Sequence, residues 1–63
     1  MYALLHVSGR FRRAYVCHSP SIPAALKAIP ADVIHWEHDV RNDAAVAYAI
    51  DGELYAIERE AMA

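Results

Sequence analysis

Cysteine and glycine are scarce in this chain. Cys17 is the only cysteine among 63 residues, so an internal disulfide is excluded and a reducing, cytoplasmic setting is indicated. The two glycines, Gly9 and Gly52, each stand in a turn-like pair, which leaves no glycine-rich loop to hold a phosphate group. A disulfide-rich secreted domain and a phosphate-loop protein are therefore excluded.

Long apolar runs are also missing. The opening stretch MYALLHVSGR has no basic segment, and His6 interrupts its apolar run after five residues, so no secretory signal is predicted. A membrane span requires about 20 mostly apolar residues, and no run approaches that length. We therefore predict a soluble, cytoplasmic protein that does not enter a membrane.

The chain is short, and its length limits the core. Residues 1–63 make one domain, whose core supplies only about 3–5 kcal/mol of net stability. The hydrophobic fraction of 57% includes thirteen alanines, but larger apolar side chains recur in every segment, as in a folded chain. Small domains without disulfides commonly gain stability from a metal ion or a partner chain.

Charge is divided unevenly along the chain, although the net charge is only −2. Residues 1–29 hold four basic residues and no acid, whereas residues 30–63 hold two basic residues and eight acids. Such a division can mark a contact face for a nucleic acid or a protein. The alternative, which we favour for a compact domain, is that the two halves pair inside one sheet and neutralise each other.

The first half predicts a β-hairpin followed by a short helix. YALLHV and RFRRAYVCH flank Ser8-Gly9, a pair suited to a tight turn. A two-residue turn places these residues on one face: Tyr2, Leu4, His6, Phe11, Tyr15 and Cys17. It places Arg10 and Arg12 on the other face, and a three-residue loop would reverse the assignment.

SPSIPAALKAIP predicts a helix that begins after Ser19 or Ser21 and ends at Pro30. Ile22, Leu26 and Ile29 form one apolar stripe that can lie on a sheet.

The stretch VIHWEHDV, residues 33–40, alternates as a third strand. One face, predicted to be core, carries Ile34, Trp36, His38 and Val40. The polar face carries Val33, His35, Glu37 and Asp39. His35, Glu37 and Asp39 could instead ligate a divalent metal, but the spacing matches no established chelating motif, so no metal or other cofactor is predicted.

AAVAYAIDGELYAIERE predicts a second hairpin about Asp51-Gly52, with a helix over residues 43–51 as the competing interpretation. A two-residue turn places a bulky apolar set on one face: Val46, Tyr48, Ile50, Tyr55 and Ile57. The other face then carries the small set Ala45, Ala47, Ala49, Leu54 and Ala56. One short helix can cover only one face, so the bulky set is predicted to form a partner interface.

Nucleic-acid binding is the alternative from another class of function. Arg10, Arg12 and Arg13, near aromatic residues, could hold phosphates and stack bases. Three arginines at a hairpin tip are more often a solvated end that protects an edge strand, and the net negative charge also disfavours this role. Cys17 with a histidine base makes a weak nucleophile candidate, so no catalytic residue and no enzyme activity are predicted.

These patterns together predict an α+β fold of order β-β-α-β-β-β, with about five mainly antiparallel strands and one short helix on one face. The predicted function is non-enzymatic: a protein-binding module, most simply a homodimer, that serves as a regulator, an inhibitor or an assembly subunit. Its predicted partner is a second copy or another protein. Nucleic acid and metal remain as the alternatives named above.

Overall fold

The computed structural model describes residues 1–10 and 12–60, which form five strands and one helix. The elements in chain order are β1 (Tyr2–Ser8), β2 (Arg12–Ser19), α1 (Ile22–Ala28), β3 (Val33–Asp39), β4 (Ala44–Ala49) and β5 (Leu54–Arg59). The predicted α+β class and the order β-β-α-β-β-β are confirmed. Residues 44–49 form a strand, so the hairpin is correct and the competing helix over residues 43–51 is wrong.

The five strands form a single sheet in the order β2-β1-β5-β4-β3, and every neighbouring pair is antiparallel. The two hairpins meet where β1 pairs with β5, so the first and last strands of the chain lie at the centre of the sheet. β2 and β3 are the edges. The basic half of the chain therefore joins the acidic half through backbone hydrogen bonds.

The C-terminal hairpin has a longer loop than predicted. Tyr48 lies opposite Leu54, and the Ala49 N–H donates to the Glu53 carbonyl at 2.9 Å, so three residues form the loop. Gly52 ends that loop with φ of 85°, the left-handed conformation that favours glycine. A turn followed by a left-handed glycine is a common three-residue hairpin connection. The predicted two-residue turn is therefore wrong by one residue, which reverses the faces of β5 relative to β4.

The first hairpin also has a three-residue connection, because Ser8 pairs with Arg12. Phe11 lies outside the described residues, so its predicted place on the Leu4 face is not described. Leu5 lies opposite Tyr15, which puts Tyr15 on the face opposite to the predicted one.

A bulge in β2 restores the predicted face beyond that point. Leu4 lies opposite Cys17 while Leu5 lies opposite Tyr15, so Val16 is an extra residue in β2. The insertion shifts the alternation by one residue. Cys17 consequently shares the face of Leu4, as predicted, although the loop length that led to this prediction was wrong.

Helix α1 begins and ends at the predicted signals. The Ser21 hydroxyl accepts a hydrogen bond from the Ala24 N–H at 3.2 Å, which caps the first turn. Ile29 is extended, with ψ of 129°, as expected for a residue before proline. Ile22, Ala25 and Ile29 are buried, whereas Leu26 is partly buried. No helix within the described ranges has the length and apolar character needed to span a membrane.

One apolar core lies between the helix and one face of the sheet. Its buried members are Leu4, Ile22, Ala25, Ile29, Ala45, Ala47, Ala49, Tyr55 and Ile57. Three of the four alanines of β4, Ala45, Ala47 and Ala49, belong to this core, and their small side chains leave room for the helix. This is where several of the thirteen alanines of the sequence contribute to the fold.

Candidate protein interface

The face of the sheet opposite the helix carries fifteen side chains in three rows that cross all five strands. We call it the open face, and none of its members is buried. Read from β2 to β3, its rows are Arg13, Val7, Leu54, Tyr48, His35; then Tyr15, Leu5, Ala56, Val46, Glu37; then His18, Ala3, Glu58, Ala44, Asp39. Residues directly opposite each other on paired strands share a face, which fixes this arrangement.

The centre of the open face is apolar. The three middle strands contribute its apolar members, of which the larger are Leu5, Val7, Val46, Tyr48 and Leu54. Tyr48 keeps 40% of its surface exposed. An antiparallel sheet with one face in water normally carries polar side chains on that face. The centre of this face therefore resembles a surface that meets another apolar surface.

The β2 edge of the open face is basic and aromatic. Arg13 reaches across β1, and its Nη2 contacts Glu58 Oε2 on β5. His18 Nδ1 contacts Glu60 Oε1, and the His18 ring lies 4.9 Å from the Tyr15 ring between centroids. Partial burial and the nearby Glu60 carboxylate raise the pKa of Tyr15.

The β3 edge of the open face is acidic. Glu37 and Asp39 lie beside Glu58 around a shallow hollow of about 280 Å³, whose floor is made of small side chains of β4 and β5. Asp39 accepts hydrogen bonds from Asn42 Nδ2 at 2.6 Å and from the Asn42 N–H at 3.3 Å. These bonds favour the ionised carboxylate and lower the pKa of Asp39.

The contacts between side chains link the two halves of the chain, as the charge division suggested. His6 Nε2 lies 2.7 Å from Glu53 Oε2 on the helix side of the sheet. Arg13 and His18 make two similar contacts on the open face. Each of the three contacts joins a basic or aromatic side chain of the first half to an acidic side chain of the second half. Part of the basic charge is therefore neutralised within the domain.

The five residues of the predicted interface do not share one face. Val46 and Tyr48 lie on the open face, whereas Tyr55 and Ile57 lie in the core beneath the helix, at 5% and 0% exposure. Ile50 lies in the hairpin loop and is 66% exposed. The prediction of one common bulky face is wrong because it depended on the two-residue turn.

Sequence reasoning missed the contribution of β1 to the open face. Ala3, Leu5 and Val7 are all apolar, while the alternate position Leu4 is in the core. A signal was available, since both faces of YALLHV are apolar and only one can lie under the helix. Leu54 was assigned to the small-residue face and belongs to the open face.

The residues of the metal alternative lie in line on β3. His35, Glu37 and Asp39 share the open face, in successive rows that are about 7 Å apart along an extended strand. Among the residues that the structure describes, no three histidine, cysteine, aspartate or glutamate side chains are grouped closely enough to hold a metal ion. The His35 ring instead stacks on Tyr48, with 5.7 Å between centroids.

The arginines of the nucleic-acid alternative are dispersed. Arg13 lies on the open face, and Arg12 lies opposite Ser8 on the helix side. Arg10 is exposed in the turn between β1 and β2. The hairpin tip therefore does not present these three guanidinium groups on one face of the sheet.

A second hollow lies on the helix side, beside β3. Ile34, Trp36 and Val40 were predicted to be core but are 65%, 42% and 78% exposed. The seven-residue helix packs on β1, β2 and β4, so the edge strand β3 extends beyond its cover. Trp36 lines a groove of about 390 Å³ together with Leu26 and other residues near the end of the helix.

The β3 strand also has a bulge that changes its predicted faces. Val33 lies opposite Ala49, and His35 lies opposite Tyr48, so Ile34 is the extra residue. Val33 packs against the core instead of sharing the polar face of His35.

Comparisons with protein-family models, with curated proteins and with solved structures give no match to this chain.

Proposed function

We propose that this protein is a small non-enzymatic protein-binding module that works through its open face, in its simplest form as a homodimer. The observation that carries the proposal is the apolar centre of that face. Leu5, Val46 and Leu54 lie there at partial exposure, on the side of the sheet that the helix does not cover.

The energetics of a small domain support this proposal. The helix covers only one face of the sheet, so the apolar centre of the open face lies in water. A second copy would bury that apolar surface, with a gain in free energy of about 25 cal/mol for each Å² buried. Among residues 1–10 and 12–60 the largest completely buried side chains are Leu4 and Ile57, so further burial would add appreciably to a modest core. A contiguous exposed apolar patch with a polar rim is typical of protein–protein contact sites.

The proposed setting is the cytoplasm, where the single thiol of Cys17 would stay reduced. A domain of this kind would act as a regulator, an inhibitor or an assembly subunit by binding, without chemistry of its own.

Molar mass in solution tests the proposal. Light scattering over a concentration series should give the mass of two chains at the upper end and of one chain at the lower end. Tyr48→Glu should shift the protein to monomer while circular dichroism stays native, because a charge in the contact would lose its water without gaining a partner.

Trp36→Glu is the matched control for Tyr48→Glu. Trp36 is 42% exposed against 40% for Tyr48, and the two side chains lie on opposite faces of adjacent strands. The control should dimerise as the parent does. A parent protein that stays monomeric at every concentration would overturn the homodimer. A control that dissociates as readily as Tyr48→Glu would overturn the open face as its contact surface.

A further inference from the structure

We propose that the second copy stacks on the open face with the two-fold axis parallel to the strands, so that the β2 edge of each copy lies against the β3 edge of the other. This inference rests on the proposed homodimer and specifies its geometry. It is carried by the order of the side chains on the open face and by the opposite charges of its two edges.

Stacked sheets related by a two-fold axis have two simple arrangements. If the axis runs along the strands, each row of the open face lies over the same row of the second copy, and the strand order is reversed. β1 then lies over β4 of the second copy, and β5 lies over its own equivalent. Leu5 meets Val46, and Ala3 meets Ala44, so apolar side chains meet apolar side chains.

If the axis runs across the strands, each strand lies over its own equivalent with the row order reversed. Leu54 of the first row then meets Glu58 of the third row, which places a carboxylate against an apolar side chain. Glu37, in the middle row of an edge strand, meets Glu37 of the second copy. Both contacts are unfavourable, so this arrangement is disfavoured.

The β2 edge lies against the acidic β3 edge only when the axis runs along the strands. His18 of the β2 edge then lies over Asp39 of the second copy, in the same row. Arg13 lies one row, about 7 Å along the strand, from Glu37 of the second copy, and its side chain already reaches Glu58 two rows away in its own chain. Because the contact is isologous, each of these pairs forms twice.

Glu58 lies close to the proposed axis and would meet its own equivalent. Its contact with the Arg13 guanidinium places a positive charge at this position, which offsets the repulsion between the two Glu58 carboxylates. Arg13 therefore has two acidic neighbours in the dimer, Glu58 of its own chain and Glu37 of the second copy.

The available area also agrees with a second copy. Five strands spaced by about 4.8 Å and three rows spaced by about 6.7 Å give a footprint of about 500 Å² for each copy. Stacking would bury about 1,000 Å² in total, which is at the lower limit for a specific interface. We therefore expect a reversible dimer whose population depends on concentration.

A charge exchange between the two edges tests the orientation. Arg13→Glu alone, or Glu37→Arg alone, sets like charges against each other twice in a homodimer, and each should weaken dimerisation by roughly tenfold or more. An equimolar mixture of the two variants should form a heterodimer of higher affinity than either variant alone, because both edge contacts then join opposite charges. Light scattering and sedimentation equilibrium measure the mass of each sample.

Arg12→Glu is the control for Arg13→Glu, since Arg12 is the neighbouring residue on the helix side of the sheet. It should leave the parental affinity unchanged. Circular dichroism confirms that each variant is folded. If loss of the Glu58 contact unfolds Arg13→Glu, Tyr15→Glu takes its place, because Tyr15 lies in the row of Glu37 at the opposite edge.

The outcomes separate the orientation from the dimer itself. A parent protein that is monomeric throughout contradicts the proposed function. A parent dimer whose two variants fail to recover affinity on mixing contradicts the orientation alone. If the axis runs across the strands, Arg13→Glu alone would dimerise as the parent does, and Glu37→Arg would bind the parent as well as it binds Arg13→Glu, because both carry Glu37.

Discussion

Tyr2 and Asp43 are joined by a hydrogen bond that ties the first strand to the turn before β4. The Tyr2 hydroxyl lies 2.9 Å from Oδ1 and 2.8 Å from Oδ2 of Asp43, and the Arg59 guanidinium lies 3.3 Å from the same carboxylate. Asp43 has a φ of 51°, in the left-handed region that aspartate tolerates better than most residues. This contact therefore links β1, β5 and the β3–β4 turn.

Removing the Tyr2 hydroxyl should destabilise the fold. Tyr2→Phe leaves the ring in place but removes the donor to Asp43, so we expect a lower midpoint of urea unfolding with an unchanged slope. Asp43→Asn retains an acceptor and tolerates positive φ, so its effect should be smaller. A double-mutant cycle with both changes measures the interaction, and strictly additive effects would contradict the coupling.

Alkaline pH should destabilise the protein through its tyrosines. The hydrogen bond to Asp43 raises the pKa of Tyr2, and burial raises the pKa of Tyr15 and of Tyr55. Because the folded state holds these phenols protonated, their contribution is fully present below the unfolded pKa of about 10 and is lost as pH rises through the higher folded values.

Two measurements check the alkaline prediction. The free energy of urea unfolding should be level as pH approaches about 10 and then fall, and the tyrosinate absorbance should develop at higher pH in the native than in the denatured protein. Tyr2→Phe should remove part of the stability loss. An identical absorbance titration in both states would contradict the prediction.

The fold could be predicted because its signals are local. Alternating apolar residues, a serine cap, Pro30 and the Asp51-Gly52 pair each act within a few residues, and together they define all six elements. Strand order was beyond local reasoning, since the pairing of β1 with β5 depends on contacts between distant segments.

The faces of the strands could be predicted only in part. One additional loop residue in each hairpin reverses the faces of β2 and β5, and the bulge at Val16 reverses the rest of β2 again. Tyr55 moved from the predicted interface into the core for this reason, while Tyr48 kept its place outside the core. The bulge at Ile34 separately changes the face of Val33 in β3. The exposure of Trp36 depends on how far a seven-residue helix extends, which the alternation of β3 does not encode.

Metal removal should have no effect on stability. His35, Glu37 and Asp39 occupy successive rows of an extended strand instead of converging on one point. We therefore expect excess EDTA to leave the thermal midpoint unchanged at constant protein concentration. A structural zinc ion would stabilise the native state by RT ln(1 + [L]/Kd), so its removal would lower the midpoint by many degrees. A drop that added zinc reverses would revive the metal hypothesis.

Gly52→Ala should destabilise the C-terminal hairpin. Gly52 has a φ of 85°, and a left-handed conformation costs a residue with a Cβ roughly 1–2 kcal/mol. A Cβ at this position would meet no atom within 4 Å, so the loss reflects backbone strain alone. Gly52→Asn is the matched variant, because asparagine tolerates positive φ, and it should retain more of the unfolding free energy. Equal losses in the two variants would contradict the strain argument.

Deleting one methylene should destabilise the protein in the core but not on the surface. Ile57 has no exposed surface and packs between Leu4 and Ala45 on the neighbouring strands, whereas Ile34 is 65% exposed on the edge strand. Ile57→Val should therefore lower the free energy of unfolding by about 0.5–1.5 kcal/mol, since it leaves a small cavity that the sheet cannot close. Ile34→Val makes the identical chemical change where water already reaches the side chain, so it should alter that free energy by less than about 0.5 kcal/mol. Urea unfolding of both variants at one protein concentration measures the difference while keeping any dimer contribution constant. Equal losses would mean that Ile34 is covered in solution, and a negligible loss for Ile57→Val would place the core elsewhere than beneath the helix.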